Sequence, residues 1–389
     1  MEMIRTFHPV GQGAFYSEEF SHKSNIVFRI VYDCGCIRRK VEESHGRLVV
    51  GKWIEGMGDN KIINYLFISH FDYDHVSLLN IFKERSVYIE KVVLPLLSDD
   101  EKFLCGLYDG LYGDGQQSIC SEIVSGANSY FGPDTKIIRV LPSDDNAKNE
   151  RDAVYDGKSE TVDSGTMFPV RNTGDQFKWF YVPFNYDDTN HRKALIGLLS
   201  DPVIGFGSQF DTNRLENFSE LMQHYERGRG LPKLKKIYEK IGGGINLNSM
   251  VVLSVPNASE CCMESFRISG VDFENDARDA LNAAIQGRES RPSLPGCLYT
   301  GDIDMTKAPI AGWSAPYLDN IGTIQVAHHG SYHSFSEKVF KRGGCFCPIS
   351  CSKQRYYGHP HGSVVSKVAL LGNFPVCVTN DICFTEKIC

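Results

Sequence analysis

Short apolar runs that stop at polar or glycine residues recur along the chain, and each run predicts a buried strand. The clearest runs cover residues 25–32, 61–68, 88–95, 249–255 and 321–327. Apolar positions with helical spacing occur between or after these runs, at residues 76–85, 215–241, 274–287 and 363–371. Because the predicted strands alternate with predicted helices, the pattern indicates an α/β class.

The most informative strand end follows residues 61–68, where six residues carry two imidazoles and two carboxylates. The four side chains belong to His70, Asp72, Asp74 and His75. Imidazole and carboxylate groups hold Zn²⁺ or Mn²⁺ and leave coordination positions open for water. A solvated acidic turn with two incidental histidines is the alternative, but the position directly after a buried strand favours a metal site.

Other strand ends carry similar groups. Asp302 follows a strand and a glycine, and His328 and His329 follow the run at 321–327. Taken alone, the segment at Asp302 favours a plain turn. The histidine pair alone fits a satisfied core histidine beside an exposed one as well as it fits a site. Seven of the twelve histidines lie in such segments, namely His8, His70, His75, His328, His329, His359 and His361. Loops at one edge of a sheet are where α/β proteins assemble sites, so the clustering strengthens the metal-site interpretation.

The charge of the chain limits the partners that can be expected. The formal net charge is −7, which argues against broad binding to duplex nucleic acid through a basic surface. The strongest basic stretch consists of Arg227, Arg229, Lys233, Lys235 and Lys236. With tyrosines on either side, it can guide a single strand by charge and stacking, although a solvated helix face is the favoured interpretation.

The sequence favours a cytoplasmic location without a membrane partner. Its apolar runs are all far shorter than the roughly 20 residues that span a bilayer. The first residues lack the basic and then apolar pattern of a secretory signal. The thirteen cysteines, an odd number, are expected to be reduced and mostly buried.

The order of these segments resembles the metallo-β-lactamase fold, and within it the ComEC-type branch, named for the DNA-internalisation competence protein. The resemblance rests on motifs such as Ser-His-x-Asp-x-Asp-His, Thr-Gly-Asp, His-His-Gly-Ser and Tyr-Gly-His-Pro-His. The matching segments are residues 10–13, 32–35, 69–75, 248–253, 300–302, 328–331 and 357–361. Proteins of that branch are membrane channels, so this chain looks like their hydrolase portion standing alone.

The resemblance implies an αββα sandwich with a metal site at one edge of its two sheets. The whole chain, residues 1–389, would then form one domain of the α/β class. Two stretches are longer than such a fold needs, and they are expected to be large helical and loop inserts at about 97–245 and 256–297.

The resemblance also implies the ligands of one or two divalent cations. One cation would be held by Asp74, His75 and one of the adjacent histidines His328 and His329. His329 is favoured as this ligand, which leaves His328 near the reacting phosphate. Asp302 would bridge to a second cation.

His70 and Asp72 would hold the second cation. Hydrolases of the wider fold carry histidine at the position of Asp72, and they place a third histidine where this chain has Asn248 and Ser249. This site therefore has fewer imidazoles and more oxygen ligands, which favours Mn²⁺ over Zn²⁺.

The function implied is metal-dependent phosphodiester hydrolysis, with DNA as the leading substrate. Asp74 would help to orient the attacking water, and His328, His359 or His361 would neutralise charge or protonate the leaving oxygen. A hydrolase of a small phosphodiester, such as a cyclic nucleotide or a phosphocholine ester, is one alternative. A sensor or scaffold with a structural metal site is another. The resemblance further suggests a soluble bacterial effector with a regulatory protein partner, because a free nuclease would threaten its host.

Overall fold

The computed structural model describes residues 1–112, 118–143, 153–171, 178–203, 248–256, 261–269 and 294–389. These residues form two mixed sheets, of nine and seven strands. In order across the first sheet, the nine strands are β11 (Met263–Ser269), β16 (Cys383–Ile388), β1 (Glu2–Phe7), β2 (Phe15–His22), β3 (Asn25–Cys34), β4 (Ile62–Phe67), β5 (Tyr88–Pro95), β6 (Lys136–Val140) and β7 (Thr161–Val162).

In order across the second sheet, the seven strands are β15 (Phe374–Val378), β14 (Phe346–Ser350), β13 (Ile321–Ile324), β12 (Gly296–Tyr299), β10 (Asn248–Pro256), β9 (Trp179–Asp187) and β8 (Phe168–Pro169). Each sheet has a parallel half and an antiparallel half. Strands β3 to β7 pair in parallel, and so do β12 to β15, whereas the other neighbours pair antiparallel.

Helices connect the parallel strands. The α-helices of the described residues are α1 (Lys40–Gly56), α2 (Tyr73–Val76), α3 (Asn80–Glu84), α4 (Asp99–Tyr112), α5 (Ile119–Phe131), α6 (Thr189–Ser200), α7 (Ile310–Ser314) and α8 (Gly362–Leu370). Short 3₁₀ helices occur at Ala315–Asn320, His328–Gly330, Glu337–Val339 and Tyr356–Gly358. None of the helices in the described ranges is long and apolar enough to cross a membrane.

The two sheets face each other across an aromatic core. Tyr16 and Tyr32 from the first sheet stack on Tyr299 from the second, with ring centroids 5.9 and 4.9 Å from that ring. All three side chains are fully buried. Aromatic rings of this size supply much of the buried apolar area of a core, so this stack holds the sheets together.

A charged network is buried inside the same core. Arg5 on β1 forms ion pairs of 2.7 Å with Glu18 on β2 and 2.8 Å with Glu386 on β16, and all three side chains are fully buried. Tyr299 and Ser254 on the opposite sheet donate hydrogen bonds to Glu18. Every carboxylate in the network therefore has partners, as a buried charge requires.

The predicted αββα metallo-β-lactamase sandwich is wrong. The described residues form a β-rich fold of two large mixed sheets with parallel strands in each. The sequence pattern missed several strands because charged residues interrupt them. In β2 and β16, Glu18 and Glu386 read as exposed positions, but both are buried in the ion pairs with Arg5.

The two stretches predicted as helical and loop inserts, at about 97–245 and 256–297, contain strands of both sheets. Strands β6 to β9 lie between residues 97 and 245, and β11 lies between residues 256 and 297. They extend the edges of the two sheets. The helices predicted at 215–241 and 274–287 lie outside the described residues.

Candidate metal centre

The site lies where strands of both sheets end. His70, Asp72, Asp74 and His75 follow β4, and Asp302 follows β12. The two sheets are tied together by the backbone here, because Met250 on β10 donates to the carbonyl of Ser69 over 2.8 Å. His328 and His329 follow β13, and the amide of His328 donates to the carbonyl of Gly301 over 3.1 Å. The sheet topology therefore brings together segments that are far apart in the sequence.

Two glycines allow these loops to approach each other closely. Gly301 has φ +55°, and a Cβ atom there would lie 2.8 Å from both the Cβ of Ser69 and the Oγ of Ser249. Gly330 has φ +79°, and its Cβ would lie 2.8 Å from the Cβ of Pro360. A side chain at either position would push the loops apart, so both positions require glycine.

Asp33 fixes the orientation of His75. It is fully buried at the end of β3 and accepts hydrogen bonds from the amide and hydroxyl of Ser69, at 2.7 and 2.6 Å. Its Oδ2 lies 2.8 Å from Nδ1 of His75. Burial raises the pKa of Asp33, although His75 and Ser69 oppose that rise. Because a carboxylate accepts, Nδ1 carries the proton, and the lone pair of His75 lies on Nε2.

That lone pair faces a carboxylate oxygen. Nε2 of His75 lies 3.1 Å from Oδ1 of Asp302, yet both atoms are buried and neither has a hydrogen bond within the described residues. Two acceptors at this distance repel unless a proton or a cation lies between them. Burial lowers the pKa of His75, but the charges of Asp302 and Asp33 outweigh burial and raise it well above its usual value. The pair therefore favours a positive charge at this point.

His70 supplies a third unpartnered atom. The hydroxyl of Ser69 donates its one proton to Asp33, so it accepts from Nδ1 of His70 over 2.8 Å. This leaves the lone pair of His70 on Nε2, which is buried without a hydrogen bond in the described structure. Burial lowers the pKa of His70 to about 3, so the ring is neutral and able to bind a cation. One ligand atom each from His70, His75 and Asp302 lies within 4.8 Å of the others.

Asp74, His75 and His329 form a second group of the same size. Nδ1 of His329 donates to the carbonyl of Ser350 over 3.0 Å, which leaves the lone pair on Nε2. That atom lies 3.1 Å from Oδ2 of Asp74 and 3.7 Å from Oδ2 of Asp302. Burial lowers the pKa of His329, but the two carboxylates raise it above its usual value. As at His75, Nε2 faces carboxylate oxygens, but here it forms a hydrogen bond with Asp74.

The two groups are joined by His75 and Asp302. His75 belongs to both, but Nε2 has one lone pair and can bind only one cation. Asp302 directs Oδ1 toward His75 and Oδ2 toward His329. The donor set therefore fits one cation, or two cations with Asp302 between them.

The remaining predicted side chains lie at the edge of these groups. Oδ2 of Asp72 is 3.8 Å from Nε2 of His70, and Nε2 of His328 is 3.8 Å from Oδ2 of Asp302. His328 is held by Ser334, whose hydroxyl lies 3.0 Å from its Nδ1.

His359 lies next to His328, with ring centroids 5.8 Å apart. Burial and the neighbouring histidines lower the pKa of His359 to about 4. His361 is exposed, and its Nδ1 bonds to Ser363 at the start of α8.

One histidine singled out in the sequence, His8, belongs to neither ligand group. His8 stacks on Phe15 with centroids 4.1 Å apart and bonds to Ser17, so it belongs to the core of the first sheet. The basic residues Arg227, Arg229, Lys233, Lys235 and Lys236 lie outside the described residues.

Sequence reasoning missed the residues that orient the ligands. Asp33 lies at the end of a buried strand, and a carboxylate at that position is a signal of a functional residue that the sequence contained. Ser69 carried a weaker signal, since it only precedes the His/Asp segment. Ser350 acts through its carbonyl oxygen, which every residue has, so the sequence contained no signal for it.

Comparison with known proteins does not identify the chain. No family model matches it, and no curated protein matches it. The resemblance to ComEC-type proteins therefore stays a prediction, and the function is inferred from the geometry of the site.

Proposed function

We propose that this protein is a divalent-cation-dependent phosphodiester hydrolase that acts on nucleic acid. One observation carries the proposal. His70, His75 and His329 each have Nδ1 engaged in a hydrogen bond, so that their Nε2 atoms face the carboxylates of Asp74 and Asp302. Imidazole and carboxylate donors of this kind suit Zn²⁺ or Mn²⁺.

The buried atoms without partners support the presence of a cation. Burying a polar atom without a hydrogen bond carries a free-energy cost of about 1–3 kcal/mol. Nε2 of His70, Nε2 of His75 and Oδ1 of Asp302 all lack one within the described residues, and all three lie in one group. Coordination of a single cation would satisfy the three atoms at once. When bound, the cation would lower the pKa of a water molecule and neutralise charge on a phosphate.

The protein's own groups would orient the ligands and hold the substrate. Asp33 and the carbonyl of Ser350 fix the rings of His75 and His329. Such partners of metal ligands typically affect metal affinity or activity about 10- to 100-fold. His328 is partly exposed beside Asp302, and its Nδ1 lies within hydrogen-bonding distance of the Ser334 hydroxyl. In the tautomer in which that hydroxyl donates to Nδ1, Nε2 carries the proton and can donate a hydrogen bond to a phosphoryl oxygen.

A metal-binding and activity assay tests the proposal. The full chain is incubated with Mn²⁺ or Zn²⁺ and then with bis(p-nitrophenyl) phosphate, single-stranded DNA and duplex DNA. Hydrolysis should require the cation, and Asp302→Asn should lower the rate more than about 100-fold, because it removes a ligand and not only a partner of one.

Asp319→Asn is the matched control, because Asp319 is a fully exposed carboxylate outside the site. It should keep the activity of the original chain. Stoichiometric metal binding without hydrolysis of any of the three substrates would overturn the proposed function.

A further inference from the structure

Tyrosine and arginine side chains lie next to the ligands in the sequence. Tyr73 lies between Asp72 and Asp74, and the guanidinium of Arg38 stacks over its ring at 4.0 Å from the centroid. Arg39 stacks over Tyr356 in the same way, at 4.3 Å. Together with three residues that lie near the histidines in the sequence, they form a set that we call the aromatic rim. Its members are Arg38, Arg39, Tyr73, Tyr332, Arg355, Tyr356 and Tyr357.

Two tyrosines of the rim are exposed beside the site. Tyr357 is 76% exposed and lies two residues before His359. Tyr332 is 52% exposed, and its ring lies 5.2 Å from that of His361. Both are therefore available to a ligand that reaches the histidines at the edge of the metal centre.

The turn that carries Tyr357 holds it in an unfavourable backbone conformation. Tyr357 has φ +57° and Arg355 has φ +48°, in the left-handed region that bulky residues rarely adopt. Hydrogen bonds from Gly358 to the carbonyl of Arg355 and from His359 to that of Tyr356 close the turn. The stacking of Arg39 on Tyr356 ties it to the start of α1. Strain of this kind is concentrated where a side chain is placed for a ligand.

The chemistry of the rim fits nucleic-acid bases. Flat aromatic rings stack on bases of any sequence, and guanidinium groups add attraction to both the bases and the phosphates. Bases inside a duplex already stack on each other, so a tyrosine face reaches them only in a single strand. The net charge of −7 also disfavours the charge-driven binding on which duplex recognition depends.

We infer that the aromatic rim binds unpaired bases of a single-stranded nucleic acid and thereby presents a phosphodiester to the metal centre. This inference rests on the proposed function, and it names the substrate class. Tyr332 and Tyr357 would stack on bases on the side of the site that His328 and His359 occupy. Arg38 and Arg39 would hold Tyr73 and Tyr356 in place and attract the phosphate backbone.

Binding of a labelled single strand tests the inference. The probe is a fluorescein-labelled phosphorothioate oligothymidylate of about 12 nucleotides, which resists hydrolysis and matches the usual size of a single-strand site. Fluorescence anisotropy is measured with the full chain and Mn²⁺. Tyr332→Ala and Tyr357→Asn should each weaken binding roughly 10-fold, as expected for the loss of one stacked base. Asparagine is chosen at position 357 because it tolerates the left-handed backbone.

Two controls separate stacking from damage to the fold. Tyr357→Phe keeps the ring and should keep the affinity. Tyr88→Ala removes another exposed tyrosine, at the opposite end of β5 from the strand ends that form the site, and should bind like the original chain. The Mn²⁺ affinity should be unchanged in all four variants, because none of the replaced side chains belongs to a ligand group.

The outcomes distinguish this inference from the proposed function. Unchanged oligothymidylate binding in both Tyr332→Ala and Tyr357→Asn, or equal affinity for a duplex of the same length, would overturn the role of the rim. The hydrolase would still stand if bis(p-nitrophenyl) phosphate were cleaved. Conversely, oligothymidylate binding that depends on the two tyrosines, without any cleavage, would support the rim and count against the hydrolase.

Discussion

Nε2 of His75 and Oδ1 of Asp302 face each other across 3.1 Å, both buried, and within the described structure neither atom has a hydrogen bond. Binding of a cation between them should stabilise the fold by mass action. At a cation concentration about 100-fold above its dissociation constant, the gain in unfolding free energy is about 2.7 kcal/mol. Thermal melts with Mn²⁺, Zn²⁺ and a chelator measure it. The gain should be absent in Asp302→Asn and present in Asp319→Asn; an equal gain in both would contradict a site at Asp302.

Asp33→Asn should weaken metal binding while leaving the ligands in place. The side-chain NH₂ group of asparagine would donate a hydrogen bond to Nδ1 of His75, where Asp33 now accepts one. The ring would then carry its proton on Nε2 and lose the lone pair that faces Asp302. We expect metal affinity to fall about 10- to 100-fold, which titration calorimetry can measure.

Ser334→Ala is the comparison for Asp33→Asn. It removes the hydrogen bond to His328, which belongs to neither ligand group, so metal affinity should stay within about twofold. If Asp33→Asn bound the metal as tightly as the original chain, the role of Asp33 would be refuted.

Gly301→Ala should disturb the metal site by two effects, backbone strain and close contact with neighbouring side chains. Alanine at the φ of +55° is strained by about 1–2 kcal/mol, and its Cβ would meet Ser69 and Ser249 at 2.8 Å. Gly58 is the matched control, since it has φ +62° and a Cβ added there would meet nothing within 4 Å. Chemical denaturation should show a similar backbone effect in both, whereas only Gly301→Ala should lose metal affinity. If Gly58→Ala lost as much metal affinity as Gly301→Ala, backbone strain and not close packing would be the cause of the loss.

Arg5→Met should destabilise the core strongly. It would leave Glu18 and Glu386 buried without the charge that pairs with them, and breaking a buried pair in this way costs about 3–5 kcal/mol. Arg47→Met breaks a pair with Glu84 in which both side chains are about half exposed, and such pairs contribute at most about 1 kcal/mol. Urea unfolding of the two variants compares them directly. Similar losses in both would show that the buried network does not carry the predicted energy.

His8 should make the fold less stable in acid. Burial lowers its pKa to about 3 from the usual 6.5, so between these values the unfolded chain binds a proton that the folded chain does not. The unfolding free energy attributable to His8 is therefore complete above pH 6.5 and falls as the pH drops toward 3, by about 1.4 kcal/mol for each pH unit.

His8→Gln removes this titration and isolates its effect. The difference in unfolding free energy between the two chains, measured by urea titration between about pH 7 and pH 4, should change with that slope. The neighbours of His8 are Ser17, Phe15 and Trp53, none of which titrates in this range. A difference that does not vary with pH would mean that His8 is protonated in the folded state.

The sequence by itself determined which segments carry the chemistry. His70, Asp74 and His75 follow an apolar run within six residues, and that local pattern needs no knowledge of the fold. Strands such as β3, β4, β5 and β10 were also predicted, because their apolar runs are continuous. The sandwich implied by the family resemblance was wrong, because the described residues form two large mixed sheets. Strands β2 and β16 were not predicted, because they contain buried charges that a hydrophobic pattern scores as surface.

Only the tertiary structure decided how these segments meet. Asp302 lies more than two hundred residues beyond His75, and their 3.1 Å contact exists because β4 and β12 end side by side across two sheets. The choice of His329 over His328 likewise depends on folding, because Nε2 of His329 lies 3.1 Å from Asp74 whereas Nε2 of His328 lies 3.8 Å from Asp302. Side-chain identity is local information, whereas proton positions and ligand distances depend on partners that folding brings from elsewhere in the chain.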